Sequence, residues 1–248
     1  MLGLLLSERL AYRKDFIITF LASFSWSLAA PFFIFLVYSA GGQYPGWDVY
    51  ELLVFIGLFN IIRGIGITLF EELFYKVIER VREGRLELVL IKPKDELYLL
   101  FSESFRYTSL GEVSTGIGLL MLGIFNTSLE INFLLLILYT LAALSFLLAM
   151  TIFTTTLAIK YVQVERLMEL LDTILQFAEY PKNLFPRGVQ LGFAVFLPLF
   201  IISYYPASAL LGYETSYPFL IIASCIAILG LAILYWKKTL KNYIGAGG

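Results

Sequence analysis

The chain has 248 residues, 59% of them hydrophobic and 15% charged, with a mean hydropathy of +0.83. Soluble domains are typically about 45–50% apolar and about 25% charged, and a water-soluble fold of this length has no interior that hides so much apolar surface, which excludes a soluble globular protein. A net charge of −1 offers no basic surface to nucleic acid, and the absence of histidine removes zinc-protease helices and histidine-activated serine nucleophiles.

The apolar stretches are continuous rather than alternating, so the expected class is an all-α polytopic membrane protein and not a β-barrel. In chain order, Leu2–Asp15 mixes Leu4, Leu5, Leu6 and Leu10 with Glu8, Arg9 and Arg13, and reads as an amphipathic helix on the cytoplasmic interface. Phe16–Ser39 is a first span without a small-residue processing site at its end. Further spans are expected at Val49–Phe74, Leu97–Phe125 and Phe133–Ile159, and a last one at Tyr217–Trp236.

Loops Ala40–Asp48 and Asn126–Asn132 contain no Lys or Arg. The loop Tyr75–Glu96 carries Lys76, Arg80, Arg82, Arg85, Lys92 and Lys94, and the tail carries Lys237, Lys238 and Lys241. The positive-inside rule then puts both termini in the cytoplasm and requires an even number of spans. Trp26, Trp47 and Trp236 are expected as interfacial anchors.

The stretch Lys160–Gly212 supports two readings. Hydropathy alone selects Val189–Tyr205 as the fifth span. The other reading runs the fifth span from Val164 to Tyr180 and makes 181–212 a re-entrant hairpin on the outer side. Pro181, Pro186, Pro198 and Pro206 punctuate this stretch and favour broken half-helices over one rod. Both readings give six transmembrane helices in one domain, 1–248.

No Gly-Lys pair occurs, so the chain has no phosphate-cradling loop for ATP hydrolysis. Gly64-Ile65-Gly66 has no strand before it and is better explained by close helix packing. Cys225, the single cysteine, reads as a small buried hydrophobe, and no metal-ligating set is apparent. Arg63 and Glu112 fall well inside spans two and three, where a charge costs about 2.5–3.5 kcal/mol on insertion scales. They form either a pair lining a substrate route or a structural ion pair between helices. Arg106 lies nearer the cytoplasmic side. Glu169, Asp172 and Glu179 enter the membrane only if the fifth span begins near Val164.

Lys76–Leu97 is the most informative loop. Val77 and Val81, with the pairs Glu79–Arg82 and Glu79–Glu83, sit at helical spacing, and Gly84 supplies a left-handed helix terminus. The apolar run Leu86–Ile91, with Leu88 and Leu90, is closed by Lys92-Pro93. It rests on the membrane or on its own bundle, or it docks into a groove of a cytoplasmic partner.

This loop, Arg82-Glu83-Gly84-Arg85-Leu86-Glu87 followed by Leu90-Ile91-Lys92-Pro93, resembles that of the ABC-2-type transporter permeases, in their six-span bacterial and archaeal branch. Two further parts carry the resemblance: Tyr180-Pro181, Phe185-Pro186, Leu197-Pro198 and Tyr204-Tyr205-Pro206-Ala207, with Leu210-Leu211-Gly212; and Trp236 with the tail Leu240–Gly247. The resemblance implies a permease subunit of an exporter in a bacterial or archaeal cell membrane. It is not itself an enzyme and carries no cofactor, ATP and Mg being bound by a separate ABC ATP-binding subunit. A second permease subunit, identical or homologous, and membrane lipids complete its partners. Loop 75–96 is then the coupling element, with Glu79, Arg82, Glu83, Gly84, Arg85, Leu86, Leu88, Leu90, Lys92 and Pro93. The Pro-rich stretch is then the extracellular hairpin, which favours Val164–Tyr180 as span five, although Lys182 and Arg187 on the outer side depart from the charge rule. The alternative is a self-contained secondary transporter or channel, which needs ion-coupling carboxylates within the bundle and an internal repeat.

Overall fold

A computed structural model describes residues 13–161, 166–195, 197–215 and 217–243, and all regular structure among them is helical. The expected N-terminal amphipathic helix lies outside the described residues except for Arg13–Asp15, as do the proposed start of span five at Val164 and the tail beyond Tyr243. The chain begins with α1 (Arg13–Ser27) and α2 (Ala29–Ser39), which together form an apolar rod over Lys14–Ser39. Pro31 explains the break between them. It has no N–H to give the Ser27 carbonyl one turn back, and that carbonyl instead accepts from Asn60 Nδ2 at 3.4 Å.

α3 (Val49–Gly66) starts on a capping box in which Asp48 accepts from Tyr50 N and Glu51 accepts from Asp48 N. It continues through a π turn (Ile67–Glu71) into α4 (Glu72–Arg82) without leaving the helical path. The 34 residues of this rod extend about 51 Å at 1.5 Å per residue, some 20 Å more than a hydrocarbon core of about 30 Å. Its far end therefore stands clear of the apolar layer. There α5 (Glu87–Leu90) and α6 (Glu96–Ser102) fold back against it.

The expected third span is shorter than its hydropathy. α6 stops at Ser102, and α7 begins only at Leu110 and ends at Asn126. The residues between are mostly polar, and several are held by specific bonds. The Arg106 N–H reaches the Thr68 carbonyl in the π turn at 2.9 Å, and the Glu103 carboxylate and carbonyl are taken by Arg80 and Lys76. The π turn, with its longer hydrogen-bonded ring, leaves a carbonyl out of the α-helical ladder for such a partner. The α7 helix, at 17 residues, is at the lower limit for crossing a bilayer of ordinary thickness.

α8 (Phe133–Tyr161) and α12 (Pro218–Lys241) are long apolar rods that pack side by side. Four helices, Lys14–Ser39, Val49–Arg82, Phe133–Tyr161 and Pro218–Lys241, have the length and composition of spans. Between the last two lie α9 (Arg166–Gln176), two single 3-10 turns (Phe177–Glu179 and Lys182–Leu184), α10 (Arg187–Val195), a third 3-10 turn (Leu199–Ile201) and α11 (Tyr204–Leu211). No single helix covers 189–205, because Leu197 and Pro198 are in none. Pro186 stands just before α10, Pro198 before the third 3-10 turn, and Pro206 in the first turn of α11, the one part of a helix that tolerates it. Leu199–Tyr204 and Pro206–Leu211 are buried, with α11 against α3 and α8. Irregular backbone of this kind survives at membrane depth only when protein covers it.

α3 and α7 approach closely at small residues. A Cβ on Gly57 would lie 2.7 Å from Leu120 N, and one on Gly116 would lie 2.7 Å from the Gly57 carbonyl oxygen. The Gly64-Ile65-Gly66 pattern has the same cause: Gly64 meets Val113 of α7 and Gly66 meets Leu147 of α8. Cys225 is buried, as its apolar setting suggests. The tryptophans differ from expectation. Trp26 is exposed, but Trp47 sits edge-on to Phe55, Tyr204 and Tyr213, and Trp236 is wholly enclosed in the core where α4, α5, α8 and α12 meet.

Candidate functional site

Two features carry chemistry: a charged strip inside the bundle and an apolar face on the loop after α4. The strip is centred on Arg63, in the last turn of α3 and near the middle of the α3–α4 rod. Its Nη1 donates to Glu112 Oε1 on α7 at 2.9 Å, and its Nη2 stands 3.6 Å from Asp172 Oδ1 on α9. The Arg63 and Glu112 side chains are only 12% and 8% exposed, Asp172 33%. Glu112 was expected opposite Arg63 from its depth in span three. Asp172 was not paired with Arg63 by sequence reasoning, although its place four residues after Met168, on a helix whose Met168, Leu171 and Leu175 are buried, is a face signal.

Glu179, in the turn after α9, lies within electrostatic reach of Arg63 and Glu112. Toward α4 the strip continues with Arg106, 3.6 Å from Glu71 and 3.9 Å from Glu72, its guanidinium 5.7 Å from the centre of the Tyr75 ring. Arg63 Nε is buried and finds no partner among the described residues. The π turn, a geometry often found at functional sites, carries Glu71 and joins the two halves of the strip. Such a row of intramembrane charges is costly to insert and is retained where it faces a pathway or a partner helix.

The start of α3 is tied to the segment after α11. Tyr213 OH donates to Glu51 Oε1 at 2.7 Å. Burial, and then the Glu51 hydrogen bond and charge, push the phenol well above its ordinary range. In the neighbouring loop, burial followed by Tyr180 and Tyr38 raises Tyr44.

The loop after α4 has the terminus anticipated for it. Gly84 adopts φ 65°, its N–H bonds Val81 O at 3.2 Å and the Arg85 N–H bonds Arg80 O at 2.8 Å, the paired bonds of a Schellman motif. Glu79, Arg82, Lys92 and Pro93 are exposed, and Arg85 pairs with Glu83 at 3.2 Å. The apolar run divides. Leu86 and Val89 are buried against Leu73, Val77 and Trp236, and Leu90 is half-buried. Leu88 is 57% exposed, Ile91 76% and Tyr98 65%. Half of the run therefore caps the bundle, and the other half, with Tyr98 from α6, turns an apolar face outward.

Of the prolines, Pro181, Pro198 and Pro206 are buried and Pro186 is exposed. Ser203 Oγ donates to the Ala178 carbonyl at 2.6 Å, tying the turn after α9 to the segment before α11. Of the other sequence-derived site residues, Arg63 and Glu112 lie inside the bundle and 79–93 at its far end. The rod α3–α4 connects them.

No curated protein and no solved structure matches the chain. A family model described as ABC-2 family transporter protein matches residues 24–247. That stretch holds every described helix except the part of α1 before Phe24, together with the charged strip and the loop after α4. The chain belongs to the ABC-2 family of transporter proteins, and is a membrane component of such a transporter.

Proposed function

We propose that the chain is the permease subunit of an ABC-type exporter in a cell membrane, with six spans, both termini cytoplasmic and the hairpin 181–212 dipping in from outside. A separate ABC ATP-binding subunit supplies the energy, ATP and Mg belong to it, and a second permease subunit completes the pathway. The observation that carries the reading is the outward apolar face of Leu88, Ile91 and Tyr98. It sits beside Lys92 and Lys94 at the end of a rod whose middle carries Arg63. An isolated apolar face in a basic cytoplasmic loop suits insertion into a groove of a partner protein. Movement of such a rod as one body would carry a displacement of the loop to the Arg63–Glu112–Asp172 strip, where the pathway of a permease would open and close.

The test is co-purification of the ATP-binding subunit with the double variant Leu88→Asp/Ile91→Asp. Both positions are exposed, so the thermal unfolding midpoint in detergent should remain near that of the wild type while the complex is lost. Retention of the complex would remove the docking role. Leu86→Asp is not a fair probe of docking, because this side chain has no exposure and a charge there would destabilise the fold by more than about 3 kcal/mol.

A further inference from the structure

A cavity of about 330 Å³ opens between α2, α3 and the turn after α9. Ala30, Ile34 and Ile56 form its apolar floor, Phe33 is exposed at its rim, and Tyr44 and Glu179 supply the polar groups. The volume is at the lower end of what small-molecule sites use, and the mix of apolar wall and few polar groups is typical of them.

Its charge is the deciding feature. Glu179 makes no ion pair among the described residues. The nearest cation that acts on it, Arg63, is already engaged by Glu112 at 2.9 Å and Asp172 at 3.6 Å. Lys182, the residue after the cavity's Pro181, is turned to the Tyr204 ring, 4.0 Å from its centre. One arginine thus faces three carboxylates, and the unmatched one borders an apolar cavity. A carboxylate held at this depth without a counter-ion attracts a cation. The Tyr44 phenol, raised by burial and by its tyrosine neighbours, remains a neutral ring that favours cationic ligands over its face. The Phe33 ring at the rim adds a second such surface.

We propose that this cavity binds an organic cation with an apolar or aromatic body, its charge against Glu179 and its body against Phe33, Ile34 and Ile56. That such a ligand is cargo rests on the permease reading; that it binds does not. The experiment uses the full chain in lipid nanodiscs without any ATP-binding subunit, and measures equilibrium binding of tetraphenylphosphonium. The anion tetraphenylborate serves as the shape-matched control for partition into lipid.

Wild-type protein should show saturable tetraphenylphosphonium binding, and tetraphenylborate in separate samples should show only non-saturable partition into lipid. Glu179→Gln should weaken it by about tenfold or more, the loss expected when one charge contact disappears. Should that variant not fold, carbodiimide modification of Glu179 in the wild type replaces it, and tetraphenylphosphonium should slow the labelling. Equal binding by Glu179→Gln, equally saturable binding of tetraphenylborate on its own, unprotected labelling or absence of saturable binding would each overturn the site. None of these bears on association with the ATP-binding subunit, so failure here and failure of the permease reading are separate results.

Discussion

Arg63 shows how far a residue-level argument reaches. Its depth in a continuous apolar stretch made it expensive in lipid, and an acidic partner was a physical necessity that Glu112 satisfies at 2.9 Å. Asp172 was harder to find, since its presence in the membrane depended on where the fifth span begins, and Lys160, Glu165, Arg166 and Glu169 blur the hydropathy at that boundary. The geometry gives a specific outcome. Arg63→Gln leaves two carboxylates facing each other in the bundle and should destabilise by about 3–5 kcal/mol, as removal of one member of a buried pair does. The double variant Arg63→Gln/Glu112→Gln should recover a large part of that loss. Unfolding midpoints in detergent would decide this, and a double variant no better than the single one would count against the pair as the cause.

At the scale of elements, the four long apolar helices were legible because a bilayer imposes one length and one composition on whatever crosses it. The third span was read too long. Leu97–Phe101 is apolar enough to extend the window, but Glu103 is bonded to Lys76 and Arg80 of α4 and Arg106 to the π turn, while the Ser102 and Ser104 hydroxyls turn back onto Leu99 and Leu100 of α6. Sequence periodicity does not report a π turn, so the carbonyl that receives Arg106 could not be foreseen. Trp47 and Trp236 were misassigned for a related reason: an aromatic near the end of a span packs inward as readily as it anchors, and only the neighbours decide. The glycines were more telling. Gly116→Ala should cost about 1–3 kcal/mol by forcing α3 and α7 apart, while Gly118→Ala, with nothing within 4 Å, should be neutral or slightly stabilising. Equal midpoints for the two variants would refute the close contact. Gly84→Ala at φ 65° should cost about 1 kcal/mol, visible as greater protease sensitivity of the loop after α4.

At the scale of the molecule, one rod links three levels. Its first end is fixed by the Asp48–Glu51 capping box and Tyr213, its middle holds the Arg63 strip, and its far end carries the exposed Leu88, Ile91 and Tyr98. The sequence reading anticipated the Gly84 terminus, but not the division of the apolar run after it, because which of Leu86, Leu88, Val89 and Ile91 turns inward depends on the packing of α5 under α4 and beside Trp236. The central claim is that energy reaches this chain from another polypeptide through that face. The most direct measurement is photo-crosslinking from a benzophenone amino acid at position 91, compared with position 89, in membranes that contain the ATP-binding subunit. Ile91, 76% exposed, should yield an adduct with that subunit, and Val89, 5% exposed, should yield little or none. Absence of an adduct from position 91 in membranes where the two subunits co-purify would contradict the account.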